Sequence, residues 1–319
     1  MKEKERTCMR EIRLAVFDFD NTLWENLAAS EFAAKAFITK LCETSNLPED
    51  AIKKGIRQAF ENNLIFEFPD TIRHNPVLQA AFPGENLDER FAEATLVFHE
   101  TMHACASPYQ GVRAMLRRLK LSGVKLACYS ESNAADLARR MKHMGIDSLF
   151  DIVCSSPAEV QVPGSSPEPI VLHEIDLGLV TRHVAVRNLP HGSPKDHPEI
   201  LHMLLRELGV RAENAIMVGD HLARDVAMAQ KAGMRGFWAK YGRKAIGDLR
   251  VTPEVRPYIQ AMCEQHLKGL HAYVEPNAVL ESPEDVIAHI DFAARKVIPF
   301  PALRLSRRDQ AAVDGDSLR

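Results

Sequence analysis

The sequence has no Cys-x-x-Cys pair, no surplus of one charge and no long apolar run, and each absence closes a class of protein. Its six cysteines, Cys8, Cys42, Cys105, Cys128, Cys154 and Cys263, are scattered, several of them inside apolar stretches. That spacing fits neither a disulfide framework nor a zinc site, so they read as buried thiols in a reducing compartment. With 40 Lys+Arg against 43 Asp+Glu, the chain is close to neutral. Such a balance gives no reason to expect nucleic acid or a membrane surface as a partner, while a local site for an anionic substrate stays open. No apolar run approaches the roughly 20 residues that span a bilayer. The first 13 residues are charged and hold no apolar signal core. A cytoplasmic location is expected.

What is present is an alternation of short apolar runs and amphipathic helices. A chain of 319 residues with 46% apolar content can bury one large core or two modest ones. The run from Ile12 to Phe17 is apolar throughout, rich in strand formers, and stops abruptly at Asp18-Phe19-Asp20-Asn21-Thr22. Unbroken apolar character marks a strand buried on both faces, as in a parallel sheet. No comparable run follows until about Ala106. The stretch 24–106 carries Ala, Phe, Leu, Glu and Lys at helical spacing, with breaks near Pro48, Pro69, Pro76 and Pro83, and reads as a helical insert.

Strand–helix alternation then resumes. A helix is expected from Gly111 to Leu121, with Val112, Met115, Leu116 and Leu119 on one side, then a strand from Val124 to Tyr129 ending at Ser130. A helix from Asn133 to His143 closes at Gly145, and Phe150–Cys154 reads as a third strand. The proline-rich stretch 155–194 reads as an inserted loop or hairpin with strand-like runs at Ile170–Ile175 and His183–Val186. A helix at Glu199–Leu208, a strand at Ala215–Val218 running into Gly219-Asp220, a helix at Asp225–Ala232 and a strand at Met234–Trp238 complete the pattern. Further helices are expected at Arg256–Lys268 and Pro283–Ala293. The alternation argues for an α/β fold, a Rossmann-like doubly wound parallel sheet with a helical cap. Residues 1–23 and 107–300 would form the core, 24–106 the cap, and the polar tail 301–319 would be disordered.

In such sheets ligands gather beyond the carboxyl ends of the strands. Three expected strands end in polar, reactive residues: Asp18 with Asp20, Ser130, and Asp220. Lys195 precedes a helix of the same sheet. Two carboxylates at positions i and i+2 of a strand end point to one side and repel. A hard divalent cation with oxygen ligands would hold them, and Asp220 could add a third oxygen. One carboxylate could then be a nucleophile and the other an acid and base. The alternative for these residues is a turn and helix cap.

The pattern extends further. Asp18-Phe19-Asp20-Asn21-Thr22-Leu23 after a buried strand resembles the first motif of the haloacid dehalogenase-like hydrolase superfamily. Ala127-Cys128-Tyr129-Ser130, Lys195 with the residues around it, and Val218-Gly219-Asp220 through Asp225 resemble the other three motifs, in the family order. The resemblance covers about residues 12–154 and 194–241, with the cap matched only by position and helical character.

The resemblance implies a magnesium-dependent phosphatase acting on a small phosphorylated metabolite. Asp18 would attack phosphorus and Asp20 would protonate the leaving oxygen, then activate water. Asp18, the backbone carbonyl of Asp20, and Asp220 would hold Mg2+, with Asp225 in support. Ser130, Lys195 and the backbone N–H groups near Phe19 and Glu131 would cradle phosphate. Family dehalogenases generally lack an aspartate at the place of Asp20, so Asp20 favours phosphoester chemistry. Four features depart from the family pattern, one being His221 after Asp220, where a small polar residue is common. Lys195 is followed by Asp196, a long stretch precedes it, and Glu131 puts a negative side chain beside a phosphate site. Arg73, with Phe66, Phe68 and His74 nearby, is the candidate for substrate specificity from the cap, while Phe66 and Phe68 read rather as cap core. A phosphomutase on the same core, or a non-catalytic scaffold, remains the alternative.

Overall fold

The first strand, β1 (Leu14–Phe17), is fully buried and serves two cores at once. Leu14 and Val16 join one apolar cluster while Ala15 and Phe17 join another, as the two-residue period of a strand requires. The computed structural model describes residues 11–62, 68–156, 182–185, 198–243 and 274–291. Within them the chain forms one parallel sheet with β2 (Lys125–Asn133), β3 (Ile152–Ser156), β4 (Arg182–Ala185), β5 (Ala215–Gly219), β6 (Arg235–Ala239) and β7 (Ala278–Leu280). The strand order is β4-β3-β2-β1-β5-β6-β7.

Parallel strands need crossovers, and helices supply them on both faces. The helices α7 (Val112–Leu121) and α8 (Ala134–His143) pack on the Phe17 face. The helices α9 (Glu199–Leu208) and α10 (Ala227–Lys231) pack on the Val16 face. The sequence sets these faces. Val112, Met115, Leu116 and Leu119 are the buried side of α7, and Leu201, Leu204, Leu205 and Leu208 that of α9. Each buried leucine contributes about 1.5–3 kcal/mol over leaving it exposed.

After β1 the chain builds outward through β2, β3 and β4, then returns to the other side of β1 for β5, β6 and β7. That reversal opens a crevice at the carboxyl end of β1, between β2 and β5.

Between β1 and β2 lies a separate helical region: α1 (Asn26–Ser45), α2 (Glu49–Asn62), α3 (Thr71–His74), α4 (Pro76–Ala81), α5 (Leu87–Arg90) and α6 (Ala92–Ala104). Its prolines punctuate it as expected. Pro76 is the first residue of α4, where its missing N–H costs nothing, and the side chain of Asn75 caps Val77 N and Leu78 N. The two passages into this region run side by side. Trp24 forms β-bridges with Asp20 and with Pro108, and Tyr109 N donates to Leu23 O at 3.0 Å. The helical region therefore joins the sheet through one paired crossing, beside the end of β1.

Within the stretch 155–194 the strand-like run expected at His183–Val186 is found as part of the sheet, while other expectations need correction. Ser155 and Ser156 end β3, and 182–185 form the edge strand β4, parallel to β3. The other run, Ile170–Ile175, lies outside the described residues, as do Lys195, the expected helix Arg256–Lys268 and the tail 301–319. The strand β7 was not anticipated, and the helix expected at Pro283–Ala293 is described only as a short turn, α11 (Asp285–Ala288). Among the described cysteines, Cys128 and Cys154 are buried as expected, but Cys105 is exposed. No described helix is long and apolar enough to cross a membrane.

Candidate active site

Asp18 continues β1 by one residue. Its N–H donates to Val218 O at 2.9 Å, which pins it at the strand end beside β5. The side chain is buried, and Thr22 Oγ1 donates to its Oδ2 at 2.8 Å. The chain then turns back sharply. Leu23 N donates to Phe19 O, and Asn21 sits in the left-handed region with φ 58. Asn21 Oδ1 accepts from Leu27 N in the first turn of α1, so this residue does serve as turn and cap while the aspartates beside it face the crevice.

The opposite wall comes from β5. Gly219 has no side chain, and a Cβ there would collide with the side chain of Asp225, so the Gly-Asp pair lets two aspartates share one strand end. Residues Leu222–Val226 form a widened helical turn in which Asp225 N and Val226 N both donate to His221 O. Such π-type turns are frequent at functional sites. Asp225 Oδ2 accepts from His221 N at 3.1 Å, and Trp238 Nε1 donates to Asp220 O at 2.9 Å. Tyr241 OH donates to Thr22 O at 2.8 Å. Burial first, then Tyr109, Asp18, Asp220 and Asp285, push its phenol well above the ordinary range, so it remains a donor.

These contacts bring carboxylate oxygens of Asp18, Asp220 and Asp225 within 4.8 Å of one another. Three ionised carboxylates at that distance repel unless a cation lies among them. The donors are all hard oxygens, with no sulfur or imidazole in the set, which suits magnesium. The trio is a magnesium-type site. Asp225, expected only to support it, stands as close as the other two.

Asp20 stands apart from the trio. Its Oδ1 accepts from Trp24 Nε1 at 2.9 Å and its Oδ2 from Ser132 Oγ at 2.7 Å. Its carboxylate is thus held by two donors, Trp24 from the segment after β1 and Ser132 from the end of β2. Ser132 was not foreseen. It reaches Asp20 because β2 slips against β3 between Tyr129 and Asn133, a bulge that frees Ser130, Glu131 and Ser132 from the ladder. Ser130 is buried, and its Oγ accepts from Ser132 N at 3.1 Å.

Glu131, the residue that departs from the motif, pairs with Arg224 of the π-type turn. Burial disfavours the charge on Arg224, but Glu131, Asp225 and Asp18 outweigh it and hold its pKa above the ordinary value. Sequence reasoning had passed over Arg224. The negative Glu131 beside a phosphate site was the available signal. Arg73 forms ion pairs with Asp70 and Asp88 of the helical region. Phe68 is buried against Phe37, Phe60 and Phe98, which makes it core of that region. Phe66 and Lys195 fall outside the described residues.

The model of the haloacid dehalogenase-like hydrolases matches residues 12–233. This chain belongs to that family. A glyceraldehyde 3-phosphate phosphatase of Pyrococcus furiosus is 26% identical over 269 residues, covering 82% of this chain and 94% of that protein. A phosphoserine phosphatase of Methanocaldococcus jannaschii is 25% identical over 256 residues, covering 78% and 98%. The solved structure of a 2-haloacid dehalogenase from Pseudomonas syringae pv. Tomato DC3000 aligns with TM-score 0.50 at 20% identity, over 87% of this chain and 97% of that one. That last likeness is one of fold. As a member of that family, the chain is a hydrolase.

Proposed function

We propose that this haloacid dehalogenase-like hydrolase cleaves the phosphomonoester of a small metabolite through a phosphoryl group carried on Asp18. The observation that supports it best is the division of labour among the aspartates. Asp18 shares a cation site with Asp220 and Asp225, whereas Asp20 is turned away from that site and held by Trp24 and Ser132.

In this reading Asp18 Oδ1 attacks phosphorus, because Thr22 already occupies Oδ2. Asp20 gives a proton to the departing alcohol oxygen and later takes one from the water that cleaves the aspartyl-phosphate. A halide would need no such proton, which is why an aspartate at position 20 favours esters. Magnesium held by Asp18, Asp220 and the carbonyl of Asp20, with Asp225 beside it, would neutralise charge on the phosphoryl oxygens. Ser130 and the N–H groups near Phe19 and Glu131 would cradle those oxygens, with Lys195 as a further cation. The helical region, residues 24–106, would act as a cap over the crevice, hinged at Trp24 and Pro108.

The relatives named above direct the choice of substrate toward three-carbon phosphates. The test is a panel of phosphorylated metabolites, beginning with glyceraldehyde 3-phosphate and phosphoserine, together with a generic aryl phosphate. Hydrolysis should stop with a chelator and return with magnesium, and Asp220→Ala should blunt the return. Full turnover in metal-free buffer, or none with any phosphoester, would refute the reading.

A further inference from the structure

The ion pair between Arg224 and Glu131 crosses the crevice. Glu131 belongs to the bulged end of β2 and Arg224 to the turn after β5, and these two strands flank β1 on either side. The pair therefore bridges the walls on either side of the strand end that carries Asp18, and the charge of Arg224 is felt at Asp18 itself.

Two features set this pair apart from a simple strut. Its polar atoms are not all used: Arg224 Nε and Glu131 Oε1 are buried with no hydrogen-bond partner. A pair built only to brace two loops would be expected to satisfy both ends, since buried polar atoms left unpaired are costly. The backbone that carries Arg224 is also held in place. Arg224 N donates to His221 Nδ1, and the next two N–H groups both donate to His221 O. The guanidinium is thus presented by a fixed turn, with a donor to spare, to a crevice that among the described residues also holds the carboxylates of Asp18, Asp20, Asp220 and Asp225.

A carboxylate and a phosphoryl group offer a guanidinium the same thing, a pair of anionic oxygens at matching separation. Resting on the proposed phosphatase function, we infer that Arg224 is an anion-binding residue of this site and that Glu131 is its resting counter-ion. Glu131 holds the guanidinium in place when no phosphate is present, and the phosphate of the substrate then competes with it for the same donors. Glu131 therefore sets the affinity for phosphate by opposing it.

That role has a signature in which the two partners move in opposite directions. The measurement is calorimetric binding of inorganic phosphate to the magnesium-loaded protein, beside its turnover of an aryl phosphate. Arg224→Gln should weaken phosphate about tenfold or more, as expected for losing a hydrogen bond between charged groups. Arg224→Lys should recover part of that loss, because an ammonium keeps the charge and loses the fork. Glu131→Gln should tighten phosphate severalfold, because a repelling charge is gone while an amide still holds the guanidinium. Melting temperatures of all three establish that they fold. Should Arg224→Gln fail to fold, the opposite shifts of Arg224→Lys and Glu131→Gln carry the test. A strut would give a different result, both partners lowering the melting temperature and leaving phosphate affinity alone or weakening it together, and that would overturn the assignment. If the wild-type protein turns over phosphoesters while none of the variants shifts phosphate affinity, the assignment fails and the phosphatase reading stands. If the wild-type protein neither binds phosphate nor hydrolyses an ester, both fall.

Discussion

The two regions joined at Trp24 and Pro108 are filled in opposite ways. The helical region between β1 and β2 holds Phe37, Phe60, Phe68, Phe91 and Phe98 inside and, apart from the buried Glu31, settles charges at the surface in pairs such as Lys40 with Glu93 and Arg73 with Asp70. The crevice at the end of β1 does the reverse. It draws Asp18 and Asp225 into burial and keeps Arg224 and Glu131 largely covered. A surface pair of the first kind is worth little to stability. A buried carboxylate of the second kind costs stability unless something compensates it, and is therefore a better marker of chemistry. One region is built for packing, the other tolerates cost for the sake of a site.

The sharpest test of that contrast is Asp18→Asn. The variant should fold, since its amide can still accept from Thr22, and it relieves repulsion among the three aspartates. Its turnover should fall at least about a thousandfold, roughly 4 kcal/mol, because an amide cannot carry the phosphoryl group. Steady-state kinetics beside a melting curve decides it, and near-normal activity in a folded variant would remove Asp18 from the mechanism. The converse is Phe68→Ala. Phe68 meets Phe37 edge-on and stacks on Phe98, so truncation should cost about 3 kcal/mol of stability. Turnover of a small aryl phosphate, measured well below the melting point, should stay close to wild type. Loss of turnover without loss of stability would make Phe68 part of the site and break the division.

Ser132→Ala probes the boundary between the two. It removes one of the two donors to Asp20 and leaves Trp24 in place. The expected result is about a tenfold lower kcat with little change in KM, since Asp20 meets the leaving group and not the phosphate. A change confined to KM would place Ser132 in phosphate binding instead.

How far the site could be read from the sequence follows the same line. Asp18 and Asp220 were legible because each directly follows a buried strand run and the sheet brings such ends together, whereas Asp225 was expected only in support. The apolar face of α7 was legible for a similarly local reason, a period of 3.6. The pair of Glu131 and Arg224 was not, because its partners are 93 positions apart and no local pattern links them. The reach of Ser132 to Asp20 depends on a strand bulge, which leaves no clear trace in composition. The strand β7 escaped because three residues, Ala278–Leu280, are too few to show alternation. Arg73 drew attention as a cation among aromatics, yet its partners are the acids of its own region.

The smallest expected effect lies where the two regions touch. His103, near the end of α6, packs its ring 4.8 Å from that of His143 on α8. Burial first, then His143, Arg139 and Arg140, lower its pKa from 6.5, with Asp136 pulling the other way. Nearby, His99 Nδ1 lies 3.9 Å from Asp136 Oδ2. The folded protein thus prefers His103 neutral, while the unfolded chain protonates it at the ordinary value. The unfolded state then binds more protons as pH falls through about 6.5, so the contribution of His103 is present above that pH and lost below it. Because the side chain is only partly covered, the loss is modest. The melting temperature of the wild type should fall more steeply on acidification than that of His103→Asn, which keeps a polar group and cannot charge. The difference should open below about pH 6.5 and vanish above it. Parallel curves for the two proteins would show that protonation of His103 does not act on the contact between α6 and α8.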